Sequence, residues 1–149
     1  MEAKRLIADA ASAVNIATPP TRPRVLVVDD ERLIRDVVAE ALAESGYEVD
    51  TAPNGAEALE QIARWRPDVV VLDLMMPVLD AAGFIDLLRL NPSSADLPII
   101  ILTAAYAPYE EARRLGATAC LMKPFKLEEL LAAVEHAAAS GVLPRVVLS

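Results

Sequence analysis

The stretch from Pro67 to Pro77, with the sequence PDVVVLDLMMP, decides the fold that we expect for this chain. Residues 69–72 are all apolar, and most of them are β-branched. An uninterrupted run of this kind is typical of a strand that is covered on both faces at the centre of a parallel sheet. The run ends in Asp73, and ligands bind at the carboxyl ends of the strands in open α/β sheets. Asp73 is therefore the first candidate for a reactive residue.

Short apolar runs alternate with helical patterns on both sides of this strand. Strands are predicted at 25–28, 47–51, 69–72, 98–102 and 119–122. Helices are predicted at 32–45, at 55–66, around 84–88, in a short segment ending at 115, and at 127–138. Such alternation implies right-handed crossovers and an α/β fold, with a doubly wound parallel sheet. The second strand is more polar than the others, which indicates an edge position.

Helical spacing and capping residues refine these segments. In the first helix, six apolar residues recur at helical spacing and are expected to pack on the sheet. They are Leu33, Ile34, Val37, Val38, Ala41 and Leu42. Asn54 is placed to cap the second helix, and Gly46 and Gly116 are placed to end the first and fourth helices.

Composition excludes several classes of function. The net charge of −8 and the pI near 4.6 argue against electrostatic binding of nucleic acid. No apolar run is long enough to span a membrane, and the first residues lack the apolar core of a secretory signal, so we expect a cytoplasmic protein. Cys120 is the only cysteine and His136 the only histidine, which excludes an internal disulfide, a cysteine-based zinc site and any site needing several imidazoles.

The chain is long enough for one domain, which we place at 23–140. Residues 1–22 are interpreted as an N-terminal arm with a proline-rich linker, because three prolines fall within 18–23. The arm is either a disordered leader or a docking or dimerisation helix. Residues 141–149 form a C-terminal tail that either packs back on the domain or stays loose.

The polar residues at the predicted strand ends are Asp29, Asp30, Asp73, Thr103 and Lys123. All of them follow carboxyl ends, so the predicted fold gathers them on one edge of the sheet. Carboxylates held that close repel one another, and a hard divalent cation with oxygen ligands relieves the repulsion. Mg²⁺ suits such a site because it needs few protein ligands and keeps several waters.

Phosphoryl transfer would use each of these residue types. Asp73 is placed to act as the nucleophile that forms an aspartyl phosphate. Mg²⁺ and the ammonium of Lys123 would neutralise the transferred oxygens, while Thr103 donates a hydrogen bond. Each residue also has a simpler interpretation. Asp30 or Thr103 could cap the segment after it, and Lys123 could be solvated, but their convergence favours a site.

The chain also resembles a known family. The pair Asp29-Asp30, Asp73 followed by Met75-Met-Pro77, the dipeptide Thr103-Ala104 and the tripeptide Lys123-Pro-Phe125 resemble the motifs of response-regulator receiver domains, the CheY-like family. The resemblance spans roughly residues 23–140 and implies a flavodoxin-like (βα)5 fold with strand order 2-1-3-4-5.

By this resemblance, Asp73 accepts phosphate from a histidine kinase or a histidine phosphotransfer protein. The resemblance also implies a metal site. Asp30, Asp73 and the Met75 carbonyl would bind Mg²⁺, and Asp29 would act mainly through water. Thr103 and Lys123 would contact the phosphoryl group, and the bond between Lys123 and Pro124 would be cis.

Three departures from the family pattern concern the output of the signal. Ala81 stands where the family usually has glycine, and Cys120 stands where an aromatic switch residue is common. The interval from Thr103 to Lys123 is about two residues short by comparison with the family, which predicts a truncated or irregular fourth helix. We therefore expect Cys120 to be a buried packing residue, and residues 104–110, with Tyr106, to carry the output.

The leading interpretation is a stand-alone phosphoryl-accepting switch that acts on an unidentified downstream protein and turns over no outside substrate. A binding module whose output ignores phosphate is the second. A phosphohydrolase is disfavoured because such enzymes typically carry a second aspartate two residues after the nucleophile, where this chain has Met75. A flavin-binding domain is disfavoured because no phosphate-binding loop follows the first strand. The oligomeric state stays open.

Overall fold

The computed structural model describes residues 22–75, 79–104 and 109–139. Within them the strands are β1 (Arg24–Val28), β2 (Glu48–Ala52), β3 (Val69–Asp73), β4 (Ile99–Thr103) and β5 (Ala119–Met122). The helices are α1 (Arg32–Glu44), α2 (Gly55–Trp65), α3 (Ala81–Leu90), α4 (Tyr109–Arg114) and α5 (Leu127–Ala139). All strand pairs are parallel, and the order is β2-β1-β3-β4-β5. The predicted flavodoxin-like strand order is confirmed.

The continuous apolar runs of β1, β3 and β4 are explained by the position of these strands inside the sheet. Their side chains alternate between two buried clusters, one on each face of the sheet. In β3, for example, Val70 and Leu72 belong to one cluster while Val69 and Val71 belong to the other. Helices cover both faces, so a strand at this position has no side that faces water and no reason to alternate in polarity.

The apolar face of α1 is narrower than its sequence predicts. Val38 and Leu42 are buried, but Leu33 is 78% exposed and Val37 is 52% exposed. A straight helix lying on a sheet buries only one stripe, and the six apolar residues of α1 span more of the helix than that stripe. The prediction that Leu33 and Val37 pack on the sheet is therefore wrong.

The predicted roles of Asn54 and Gly46 at helix ends are confirmed, and Asp80 adds a cap that was not predicted. The side chain of Asn54 accepts a hydrogen bond from the Glu57 N–H at the start of α2, and Asp80 makes the same bond with the Gly83 N–H in α3. Gly46 follows α1 with a φ of 102°, in the left-handed region that favours glycine. The peptide bond between Lys123 and Pro124 is cis, as the family resemblance implies.

The predicted strand ends differ from the observed ones by one residue in several places. Both β3 and β4 include the polar residue that was expected to follow them, because their backbone pairing continues through Asp73 and Thr103. The described part of α4 spans six residues, in agreement with the predicted short helix. The expectations for residues 1–21, for Tyr106 and for residues 141–149 fall outside the described residues. None of the helices in the described ranges is long and apolar enough to cross a membrane.

Candidate functional site at the carboxyl edge of the sheet

The strand order brings the predicted site residues together on one edge. Asp29 directly follows β1, Asp73 ends β3, Thr103 ends β4 and Lys123 directly follows β5. These strands are neighbours in the sheet. Asp29, Asp73 and Thr103 are buried, Lys123 is partly buried, and Asp30 is exposed. The fold therefore builds a site with a buried floor and one solvent-facing carboxylate.

Three carboxylates converge on this edge. Asp29, Asp30 and Asp73 each place one oxygen so that the three atoms lie within 4.8 Å of one another. At such separations, negative charges disfavour one another unless a cation lies among them. We call these three residues the acidic cluster.

Lys123 supplies the cation of the described site. Its Nζ lies 3.4 Å from Asp73 Oδ1, 3.6 Å from Asp29 Oδ2 and 3.9 Å from Glu31 Oε1. The ammonium is thus shared among three acidic side chains and cannot balance all of their charge. The simpler interpretation of Lys123 as a solvated lysine does not match this geometry.

The pKa of Asp73 is raised by its buried position in the acidic cluster. Burial, followed by the nearby charge of Asp29, raises the pKa of Asp73 from 3.8 to about 6. Lys123 and the Met75 N–H, which donates to Asp73 Oδ1 at 3.3 Å, act in the opposite direction. Burial and repulsion prevail, so the carboxylate is destabilised and an added cation would favour its ionised form.

The two oxygens of Asp29 have different partners. Oδ1 accepts a hydrogen bond from the Glu31 N–H at 2.9 Å. Oδ2 is buried and, among the described residues, accepts no hydrogen bond. A buried carboxylate oxygen without a hydrogen bond is costly, and a cation at the acidic cluster would satisfy it. The oxygen-only donor set also suits a hard divalent cation such as Mg²⁺. These residues fit the metal that the family resemblance implies.

Thr103 is buried at the end of β4, on the same edge of the sheet. Its hydroxyl donates to the Ala104 carbonyl at 3.3 Å, and its own carbonyl accepts from the Lys123 N–H at 2.7 Å. The second bond ties the ends of β4 and β5 together. Thr103 thus fixes the backbone beside Lys123, while its expected contact with a phosphoryl group stays a prediction.

The capping interpretation of Asp30 is wrong. The N-cap residue of α1 is Glu31, whose side chain makes no capping hydrogen bond. Asp30 is free of that local role and belongs to the acidic cluster. The side chain of Met75 is 54% exposed, and the predicted role of its carbonyl as a metal ligand stays a prediction.

Sequence reasoning missed two residues of the site. Glu31 contacts Lys123, and Arg35 donates from Nη1 to the Asp29 carbonyl at 2.8 Å. The spacing in the sequence could have indicated Arg35, because a residue one helical turn after Glu31 can face back toward the loop.

The prediction for Cys120 also needs correction. It is partly buried, not fully buried, because β5 is the outer strand of the sheet and its side chains are only half covered.

Comparisons with known proteins agree with this architecture. The model of the response regulator receiver domain family matches residues 25–135. The response regulator MprA of Mycobacterium leprae is 47% identical over 113 residues, which cover 74% of this chain and 49% of that protein. The chain thus spans about half the length of the curated relatives it matches.

Solved structures give the same result. The chemotaxis response regulator CheY4 of Vibrio cholerae is similar with a TM-score of 0.73 and 38% identity, over 78% of this chain and 99% of that one. The receiver domain of the Francisella response regulator 1452 is similar with a TM-score of 0.72 and 33% identity, over 79% of this chain and 98% of that one.

Proposed function

Because the chain belongs to the response regulator receiver domain family, we propose that it is a phosphoryl-accepting switch in which Asp73 is the acceptor. The observation that carries the proposal is the position of Lys123 Nζ, 3.4 Å from Asp73 and 3.6 Å from Asp29. A cation held beside a nucleophilic carboxylate is what a transferring phosphoryl group requires, because negative charge spreads over its oxygens.

In the proposed reaction, an oxygen of Asp73 attacks phosphorus. The bond between phosphorus and the donor breaks, and its electron pair leaves with the donor group. Lys123 interacts with one oxygen of the transferred group, and the Thr103 hydroxyl turns from the Ala104 carbonyl to donate to another. The product is an aspartyl phosphate, and the donor is a histidine kinase or a histidine phosphotransfer protein.

Asp29, Asp30 and Asp73 are the side chains that would hold Mg²⁺, with the Met75 carbonyl as a further ligand. The metal would supply positive charge to the phosphoryl oxygens and offset the repulsion within the acidic cluster. Asp30, which is exposed, leaves this side of the cluster open to a metal and to the donor. A metal there would also satisfy the buried Asp29 Oδ2, which accepts no hydrogen bond from the described residues.

The biological role proposed here is signalling and not turnover of an outside substrate. Phosphorylation would change the affinity of the chain for a downstream protein, through residues 104–110. We place this activity in the cytoplasm, where the donor kinases of two-component systems act. The residue two positions after Asp73 is Met75, which offers neither the acid nor the base that a phosphohydrolase would use there.

A small acyl phosphate with magnesium tests the proposal without a cognate kinase. The wild-type chain should gain one phosphoryl group, detected by intact-mass spectrometry and removed by hydroxylamine, which cleaves acyl phosphates. Asp73→Asn should gain none. Asp86→Asn is the matched control, because Asp86 is an exposed aspartate on α3, outside the acidic cluster, and this variant should be labelled like the wild type.

Two results would contradict the proposal. One is an unlabelled wild-type chain at millimolar magnesium. The other is an Asp73→Asn variant that is labelled as fully as the wild type, because the acceptor would then lie elsewhere.

A separate experiment distinguishes a phosphate-dependent switch from a binding module that ignores phosphate. A partner protein is captured with the phosphorylated chain, and its binding to that chain is compared with its binding to Asp73→Asn.

A further inference from the structure

The loop that carries Asp29 and Asp30 is held in an unusual way. It joins β1 to α1, and the N-cap residue of α1, Glu31, makes no side-chain capping hydrogen bond. The first turn of α1 also lacks an acidic residue. Side-chain capping of α1 therefore does not fix this loop, although two of the three residues of the acidic cluster depend on it.

Arg35 fixes the loop instead. Its backbone N–H donates to the Glu31 carbonyl at 2.9 Å, which closes the first turn of α1. Its side chain reaches back over this turn, and Nη1 donates to the Asp29 carbonyl at 2.8 Å. The side chain is partly buried, so the bond is protected from competing water.

This bond completes the restraint of Asp29. The Asp29 N–H donates to the Ala52 carbonyl at 3.2 Å, which extends the pairing of β1 with β2. Oδ1 accepts from the Glu31 N–H, and the carbonyl accepts from Arg35. With these three groups engaged, Oδ2 is the one polar atom of Asp29 for which the described residues provide no hydrogen bond. Its charged neighbour is Lys123, whose Nζ lies 3.6 Å away.

We infer that Arg35 is a positioning residue for the acidic cluster: it sets the geometry of Asp29 and Asp30 and thereby the affinity of the cluster for a divalent cation. This inference rests on the proposed function. The effect is geometric, because Arg35 contacts a backbone carbonyl and not a carboxylate. A displacement of a few tenths of an ångström matters at such a site, since Mg²⁺ requires near-ideal octahedral geometry.

The test compares Arg35→Gln, Arg35→Lys and Arg32→Gln in the full chain. Arg32 is the matched control, because it lies on the same helix and carries the same charge, but its side chain is exposed and pairs with Asp36 at the surface. Mg²⁺ affinity is measured by calorimetry, and the free energy of unfolding is measured by urea titration with a chelator.

Arg35→Gln should weaken Mg²⁺ binding about tenfold, which corresponds to about 1.4 kcal/mol. Arg32→Gln should change it less than about twofold. Arg35→Lys keeps a donor that can approach the same carbonyl and should recover most of the lost affinity, within about threefold of the wild type. If Arg35→Gln is too unstable to study, Arg35→Met replaces it, because it keeps an aliphatic side chain but has no donor for the Asp29 carbonyl, and it should show the same loss of about tenfold.

A purely structural role predicts a different result. Arg35→Gln would then lower the free energy of unfolding but leave the Mg²⁺ affinity of the folded chain unchanged, and this outcome would overturn the inference. Equal losses in Arg35→Gln and Arg32→Gln would also overturn it, because the effect would then be one of net charge. A wild-type chain that binds no Mg²⁺ would instead overturn the proposed function itself, and with it this inference.

Discussion

Two loops at the same edge of the sheet begin helices in different ways. The loop between β2 and α2 provides Asn54, whose side chain caps α2, and Glu57 adds an acidic residue to the first turn. The loop between β1 and α1 contains three acidic residues in a row, yet α1 has no side-chain cap. Two of its carboxylates belong to the acidic cluster instead, and the third contacts Lys123. One loop stabilises its own helix, whereas the other uses its acidic residues to build a site shared by four strands.

The difference has a physical consequence. An N-cap side chain stabilises a helix by about 1 kcal/mol. Carboxylates gathered in a partly buried cluster repel one another and destabilise the metal-free fold. The β1–α1 loop should therefore be the site of low intrinsic stability and strong metal dependence, while the β2–α2 loop should show the reverse.

The largest effect should come from removing the charge of Asp73. Its pKa is about 6 in the folded chain against 3.8 for a free side chain, so the folded state binds the proton more tightly. This shift costs stability above pH 6, and the cost disappears as the pH falls below 4. In metal-free buffer at pH 7, Asp73→Asn should therefore increase the free energy of unfolding by up to about 3 kcal/mol.

Urea titrations with a chelator at pH 7 and below pH 4 measure this gain. The difference between Asp73→Asn and the wild type should shrink toward zero at the lower pH, whereas Asp86→Asn should stay within about 0.5 kcal/mol of the wild type throughout. A destabilised Asp73→Asn variant at pH 7 would mean that the ion pair with Lys123 outweighs burial and repulsion.

The next effect concerns stabilisation by magnesium. Mg²⁺ at about a hundred times its dissociation constant should add roughly 2.7 kcal/mol to the wild type, because it binds the folded cluster and not the unfolded chain. Asp30→Asn should remove most of this gain. It should change the metal-free stability little, because Asp30 is exposed and caps no helix. Thermal unfolding with and without magnesium provides the measurement.

An unchanged melting temperature of the wild type in millimolar magnesium would show that the metal assignment is wrong. Asp86→Asn again serves as the control and should retain the full gain. If Asp30→Asn keeps the gain as well, the metal is held by other ligands.

Asn54→Ala should give the opposite pattern. Loss of its hydrogen bond to the Glu57 N–H should cost about 1 kcal/mol in free energy of unfolding, with the Mg²⁺ affinity unchanged within about twofold. Asn54→Asp preserves the cap and should preserve the stability. A drop in Mg²⁺ affinity for Asn54→Ala would show that the two loops are coupled, and the contrast between them would fail.

The inner strands of this fold were predictable because a strand buried on both faces must be continuously apolar, as in Val69 to Leu72. The positions of Asp29, Asp73 and Lys123 followed from that, since parallel strands end at one edge. The width of the buried apolar face of α1 was not predictable, because the spacing of apolar residues does not determine how much of a helix its neighbours cover. The contacts of individual side chains were not predictable either.

Arg35 illustrates this second limit. An arginine inside an amphipathic helix is an ordinary surface residue by pattern, and only the three-dimensional structure shows its donation to the Asp29 carbonyl. The sharing of Lys123 between Asp29 and Asp73 is similar. Sequence predicted that these residues are neighbours, but distances below 4 Å depend on rotamers that local patterns do not determine.

The smallest effect should come from Cys120, on the outer strand β5. Burial raises the pKa of the Cys120 thiol, so the side chain is a small neutral group packed against the core. It is too small to fill space that Thr103 would leave on turning toward a phosphoryl group. Partner affinity measured with and without a phosphoryl mimic gives the gain in binding, and Cys120→Ala should change this gain by less than about 0.5 kcal/mol. Tyr106→Ala, in the predicted output loop, should remove more than about 1 kcal/mol of it. The reverse ranking would make position 120 the residue that transmits the signal, and would separate the output from residues 104–110.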